Sequence, residues 1–160
     1  MYKTKNDLPE SLRIKVIELL ADRLADAIDL NAQTKHAHWN VKGPHFIALH
    51  ELFDQVAENI EDHVDTIAER ITSLGGTAYG TVRAVSQRSS LKPYPEEITD
   101  GVDHVEALSS ALADFGSKVR KSIEQSAQLG DADSSDLFTG VSRDVDKYLW
   151  FLEAHLQAKK

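Results

Sequence analysis

Between His36 and Arg70 the chain reads HAHWNVKGPHFIALHELFDQVAENIEDHVDTIAER, and five of its seven histidines lie there. Glu51, Asp54, Glu58, Glu61, Asp62, Asp65 and Glu69 follow the last of the first four imidazoles, His50. Imidazole and carboxylate without sulfur are ligands for Fe(II), with Zn and Mn as competitors. The plainer reading of such a run is a solvated acidic helix face.

Helical geometry separates the two. With His50 at 0° and about 100° per residue, Asp54 falls near 40°, Glu61 near 20°, Asp65 near 60°, Glu58 near 80° and Glu69 near 100°. The apolar residues Leu49, Phe53, Val56, Ile60, Val64, Ile67 and Ile71 centre on the opposite side, near ~280°. One histidine and five carboxylates therefore form a single stripe. Within it, His50 with Asp54 and Asp65 with Glu69 are i,i+4 pairs, each able to grip one ion.

Asp54 and Asp65 are eleven residues apart, about 16 Å along a helix axis, whereas ligands to one iron sit at ~2.0–2.3 Å. The two pairs of one chain cannot share a metal. They can share one when a second copy of the helix runs antiparallel about a two-fold axis, so that His50 and Asp54 face the mate's Asp65 and Glu69. An isologous dimer would then hold two identical sites. His38, just before Gly43-Pro44, can fold back to add a second imidazole, giving two histidines and three carboxylates across two chains.

Long helices must position these residues. Glu10 to Lys42 and His45 to Leu74 contain neither Pro nor Gly and are rich in helix formers. Apolar residues recur at helical spacing at Ile17, Leu20, Leu24 and Ile28, again from Val105 to Ile123, and again from Leu137 to Leu156. No period-2 alternation competes. Asp7 before Pro9 reads as an N-cap, Gly43-Pro44 and Gly75-Gly76 as helix breaks, and Gly130 as the last divider, with Asp133 or Ser134 capping the final helix. Thr77 to Gly101 is a long connection whose middle, Lys92 to Glu97, is expected to hold one short helix. The fold class is all-α, a ferritin-like four-helix bundle with a short helix in the long crossover between helices 2 and 3. Gly116 and Gly140, inside helices, are expected to mark close packing.

One domain is expected over residues 1–160, with residues 1–8 a short flexible N-terminal tail; this length buries roughly 70% of the unfolded surface. Lys and Arg number 18 against 26 Asp and Glu, a formal charge of −8. That balance disfavours nucleic acid, which wants a basic face. No stretch approaches the ~20 apolar residues of a membrane span, and MYKTKNDLPE does not read as a secretory signal. A cytoplasmic protein is expected. Cysteine is absent, which excludes disulfides, thiolate metal sites and a cysteine nucleophile.

The run His38-Trp39-Asn40-Val41-Lys42-Gly43, with Leu49-His50 and Asp54, resembles the first signature of the Dps family (DNA-binding proteins from starved cells, the mini-ferritins). Val64-Asp65-Thr66-Ile67-Ala68-Glu69-Arg70 with Leu74-Gly75 and Ala78 resembles the second. The likeness continues through Ser90 to Pro95 and Ser142 to Phe151. It implies a homo-dodecameric shell built from two-fold dimers, with ferroxidase ligands His38, His50 and Asp54 from one subunit and Asp65 and Glu69 from its mate. It implies oxidation of Fe(II) by hydrogen peroxide or oxygen and storage of the Fe(III) mineral. Trp39 is then either a donor of an electron to a radical intermediate or a packing aromatic.

Asp131, Asp133 and Asp136 resemble the acidic iron-entry pore of such shells; the plainer reading is capping and first-turn charge, with Asp133 the cap and Asp136 the better pore residue. Glu58 and Glu61 read as surface salt-bridging residues before mineral nucleators. His36, His45 and His63 read as local hydrogen-bonding residues. DNA contact would fall to Lys3 and Lys5, opposed by Asp7, with Lys159 and Lys160 at the other end. Two lysines per tail give a weak, salt-sensitive attraction even when multiplied by assembly, and nucleoid association would follow only from that.

Overall fold

The computed structural model describes residues 1–157; Lys159 and Lys160, weighed above for DNA, lie outside them. Five helices follow in order: α1 Glu10–Asn40, α2 Phe46–Ser73, α3 Val82–Arg88, α4 Gly101–Leu129 and α5 Ala132–Gln157. No strand occurs among the described residues; an isolated bridge joins Lys42 to Asp100. No described helix is long and apolar enough to cross a membrane.

The four long helices are the four read from periodicity, and their stripes make the core. Leu20, Leu24, Phe53, Ile67, Phe115 and Phe138 are all essentially without solvent contact. The helices pair as α1 with α2 and α4 with α5, and α1 lies against α4. The α2 stripe is buried at Leu49, Phe53, Val56, Ile60, Ile67 and Ile71, with Val64 packed at its margin. Asp54, Asp65 and Glu69 consequently point away from the bundle core.

Two helix ends differ from expectation. Pro9, not Asp7, is the N-cap of α1, and its carbonyl accepts from Leu12 N and Arg13 N with no capping side chain. Asp131, not Asp133 or Ser134, caps α5: its carboxylate accepts from Ser134 N at 3.2 Å and Ser134 Oγ at 2.6 Å. Gly130 ends α4 at φ +87°, a conformation that glycine adopts without strain, and this turn delivers Asp131 to the cap position.

The short helix is Val82–Arg88, ten residues before the expected segment. Thr81 caps it, Oγ1 accepting from Ala84 N at 3.4 Å. Lys92 to Glu97 is not helical, because Pro93 and Pro95 hold their preceding residues extended. The crossover is tied to one face of α1: Arg88 pairs with Glu18 and Asp22, Ser90 N donates to buried Asp26 at 2.7 Å, and Gln33 donates to Lys92 O. A Cβ on Gly116 would stand 3.2 Å from Val145 Cγ1, so α4 and α5 do pack closely there; at Gly140 nothing lies within 4 Å, and close packing does not explain that glycine.

Candidate metal centre

The end of α1 and the start of α2 bring three of the five expected ligands together. Gly43, at φ +108°, turns the chain between them, and Lys42 N donating to Thr99 O pins that turn to the approach to α4. His38 then stacks on His50, ring centroids 3.7 Å apart and planes 20° from parallel.

Each ring also bonds to the other's backbone. His38 Nδ1 donates to His50 O at 2.8 Å, and His50 Nδ1 donates to His38 O at 2.8 Å. A carbonyl only accepts, so each Nδ1 carries the proton. The lone pair of each neutral ring is therefore on Nε2, the nitrogen left for a metal. This is the outer hydrogen bond that orients metal-binding histidines elsewhere.

Asp54 is the third member, its Oδ1 3.9 Å from His38 Nδ1. Its carboxylate is 40% exposed and accepts from Lys35 Nζ at 2.6 Å. That hydrogen bond, helped by the Lys35 charge, outweighs the opposing effect of burial and holds the Asp54 pKa below the usual carboxylate range. Lys35 lies one turn before His38 on α1, and periodicity alone did not single it out. It places a positive charge against a carboxylate expected to be a ligand. Replacing Lys35 with methionine is expected to tighten Fe(II) binding by roughly tenfold, by removing that competing charge. Anaerobic titration of the two proteins checks this, and equal affinities would deny Lys35 the role.

Asp65 and Glu69 lie farther along α2, both exposed and in no ion pair among the described residues. Among those residues no group of three or more His, Asp or Glu side chains closes a metal site within one chain. Trp39 is 69% exposed beside the histidines, with Phe46 and Ile47 also at the surface.

The remaining acidic and imidazole residues separate by burial. Asp131 is 2% exposed and accepts from Arg70 Nη2 at 2.7 Å. Asp133 and Asp136 are exposed, Asp133 standing 3.6 Å from Arg70 Nη1. His63 on α2 hydrogen-bonds to Asp144 on α5 at 3.0 Å, across helices and not locally as expected, and the buried Nε2 of His36 has no hydrogen-bond partner among the described residues. His36 touches Tyr94 edge-on, and fully buried His104 meets the Tyr94 hydroxyl. His104 had no sequence signal beyond its place in the third long helix.

The chain resembles known proteins over nearly its whole length. The family model described as Ferritin-like domain matches residues 17–160. A protein of Agrobacterium fabrum named DNA protection during starvation protein is 50% identical over 158 residues, 99% of this chain and 98% of that one. One of the same name from Mycolicibacterium smegmatis is 36% identical over 143 residues, 89% and 78% of the two chains. The solved Mycobacterium smegmatis Dps, tetragonal form, superposes with a TM-score of 0.93 at 34% identity, over 98% of this chain and 95% of that one.

Proposed function

Since the chain belongs to the ferritin-like family, among the Dps proteins, we propose that it is a ferroxidase and iron-storage mini-ferritin. In this reading it oxidises Fe(II) with hydrogen peroxide or oxygen in the cytoplasm and stores the Fe(III) mineral in a dodecameric shell. Iron is the substrate. The observation that carries the proposal is the reciprocal His38–His50 bonding, which occupies both Nδ1 atoms and leaves both Nε2 atoms for a metal, with the Asp54 carboxylate 3.9 Å from His38 Nδ1.

Each centre is formed by His38, His50 and Asp54 of one subunit and Asp65 and Glu69 of its mate. The exposed apolar side chains Trp39, Phe46 and Ile47 around the histidines suit burial in such a two-fold contact. Mixed nitrogen and oxygen ligation leaves iron coordination positions open to the oxidant, and the three carboxylates favour the Fe(III) product by their charge. Both histidines must be neutral to bind, so acid weakens the site. Asp133 and Asp136, exposed at the start of α5, remain the candidates for an iron-entry pore, whereas Asp131 is committed to Arg70 and Ser134 within its own chain.

Stopped-flow Fe(II) oxidation, with peroxide and oxygen compared side by side, tests this reading. Oxidation no faster than in buffer overturns it. Native mass spectrometry is expected to show twelve subunits, and an active monomer contradicts the shared centre.

The relatives' name, DNA protection during starvation, brings a second reading, nucleoid compaction. Charge and tethering weigh against it. Each chain carries −8, and the segment holding Lys3 and Lys5 is tied to the end of α2 where Tyr2 N donates to Gly75 O at 2.7 Å. No gel retardation of duplex DNA is expected at ~150 mM salt, with at most a weak shift as the salt is lowered. Retention at physiological salt would favour the second reading.

A further inference from the structure

Behind the ligand-bearing ends of α1 and α2 lies a pair of titratable rings that the proposed centre does not use. Tyr94, in the crossover, and His104, in the first turns of α4, are joined by a hydrogen bond of 2.6 Å between the phenol oxygen and Nδ1. His104 has no solvent exposure, and its Nε2 has no partner. The rings of the pair run nearly parallel, 17° apart, with centroids 6.0 Å apart.

Both rings adjoin the site's own segments. Phe53, next to Asp54, packs against His104 with centroids 6.4 Å apart. His36, two residues before His38, meets Tyr94 edge-on at 5.3 Å. Among the described residues Tyr94 is the tyrosine whose hydroxyl bonds to an imidazole. Tyr2 and Tyr79 are exposed, and Tyr148 packs against Phe151.

We propose that Tyr94 is an internal one-electron donor to the iron centre, with His104 Nδ1 receiving the phenolic proton. The proposal rests on the ferroxidase reading. Hydrogen peroxide takes two electrons, and a centre holding a single Fe(II) supplies one. Tyr94 supplies the other: its O–H bond breaks, an N–H bond forms on His104, and a neutral phenoxyl radical remains beside an imidazolium. The peroxide O–O bond breaks to give two hydroxide ions, and iron ends as Fe(III). Charge is +2 on each side of this balance, and no hydroxyl radical is released.

The surroundings suit the step. Oxidation without proton transfer would leave a strongly acidic phenol radical cation; transfer across the existing hydrogen bond places the positive charge on imidazole, a far stronger base. No donor to His104 Nε2 forces the ring into the tautomer that would block Nδ1. Burial raises the Tyr94 hydroxyl above its ordinary pKa, so the phenol starts protonated; burial and His36 lower that of His104, and the nearby charges of Asp103 and Asp100 oppose this and favour its protonated form.

Rapid-freeze electron paramagnetic resonance tests the proposal on the assembled protein, at one Fe(II) per centre with equimolar peroxide. The Tyr2→Phe, Tyr79→Phe, Tyr148→Phe triple variant leaves Tyr94 as the only tyrosine and the pair untouched. It is expected to give a radical signal whose hyperfine structure narrows when ring-deuterated tyrosine is incorporated. Tyr94→Phe in the otherwise unaltered chain is expected to lose that signal. Absence of a label-sensitive signal in the triple variant, while Fe(II) is oxidised rapidly, overturns the donor assignment and leaves the ferroxidase reading intact. A label-insensitive signal, from Trp39 for instance, also overturns it. Failure of rapid Fe(II) oxidation in the unaltered protein overturns both readings.

Discussion

Asp65→Ala together with Glu69→Ala is expected to abolish rapid Fe(II) oxidation while leaving a folded, assembled protein. Loss of a residue that merely orients a ligand typically lowers metal affinity or activity ~10–100-fold, so removal of two ligands should exceed ~100-fold. Folding should survive because both side chains are exposed and enter no ion pair among the described residues. They are like charges at i and i+4, so their removal relieves a repulsion of roughly 0.2–0.5 kcal/mol. Alanine is also the better helix former. Thermal unfolding at or slightly above that of the unaltered protein, with oxidation at the buffer rate, is the expected pair of results. Unchanged kinetics would refute the ligand assignment.

The same variant decides whether the centre is shared between chains. In a dimer with His50→Ala, Asp54→Ala as its mate, one of the two centres receives His38, His50 and Asp54 from the first chain and Asp65 and Glu69 from the second. That centre is intact, and the other lacks all four altered ligands. Random pairing makes about half of the dimers mixed, so two inactive proteins reassembled together should recover about a quarter of the native activity. Were both pairs to serve one chain's own centre, mixing would restore nothing. The test rests on the ~16 Å separation of Asp54 and Asp65 along α2 and is independent of how fast any single centre works.

The acidic stripe was legible because one helix carries it, and a single rotation of about 100° per residue places every member. The same holds for the buried face of α2, where each apolar residue of the stripe is buried or packed at its margin. What was not legible depends on how two elements meet. The His38–His50 stack and the Lys35–Asp54 pair arise where α1 folds back on α2 through a glycine at positive φ. Spacing within either helix cannot set that approach. Local ambiguity explains the rest. Asp131, Asp133 and Ser134 are all good capping residues, and the left-handed turn at Gly130 decides among them. The short helix lies before the proline-rich middle of the crossover because the capping Thr81 and the Val82–Arg88 run, free of Pro and Gly, precede it.

Arg70→Met is expected to destabilise the fold by about 3–5 kcal/mol, the usual effect of removing one partner from a buried ion pair. Arg70 follows Glu69 on α2, and its guanidinium reaches α5, donating from Nη2 to Asp131 at 2.7 Å and from Nε to Ser134 Oγ at 3.0 Å. Both side chains are well buried. Burial alone would raise the Asp131 pKa, but hydrogen bonds from Ser134 and Arg70 outweigh it and hold the group below the usual carboxylate range. Without Arg70 the carboxylate keeps the burial and loses its counter-charge. At ~2–4 °C per kcal/mol for a chain of this size, the midpoint should fall by roughly 10 °C. The comparison is made at fixed protomer concentration, because assembly adds to apparent stability. Adding Asp131→Asn should recover much of the loss, since asparagine still accepts from Ser134 N and carries no charge to strand. Failure of that rescue would mean that Arg70 acts through packing instead. The ion pair's pH dependence has a definite sign. A depressed folded-state pKa contributes stability above the unfolded value, and that stability is lost as pH falls through the folded one. The difference between native and Arg70→Met proteins should therefore be full at neutral pH and shrink in acid. A difference that grew on acidification would contradict the pairing of Arg70 with an ionised Asp131.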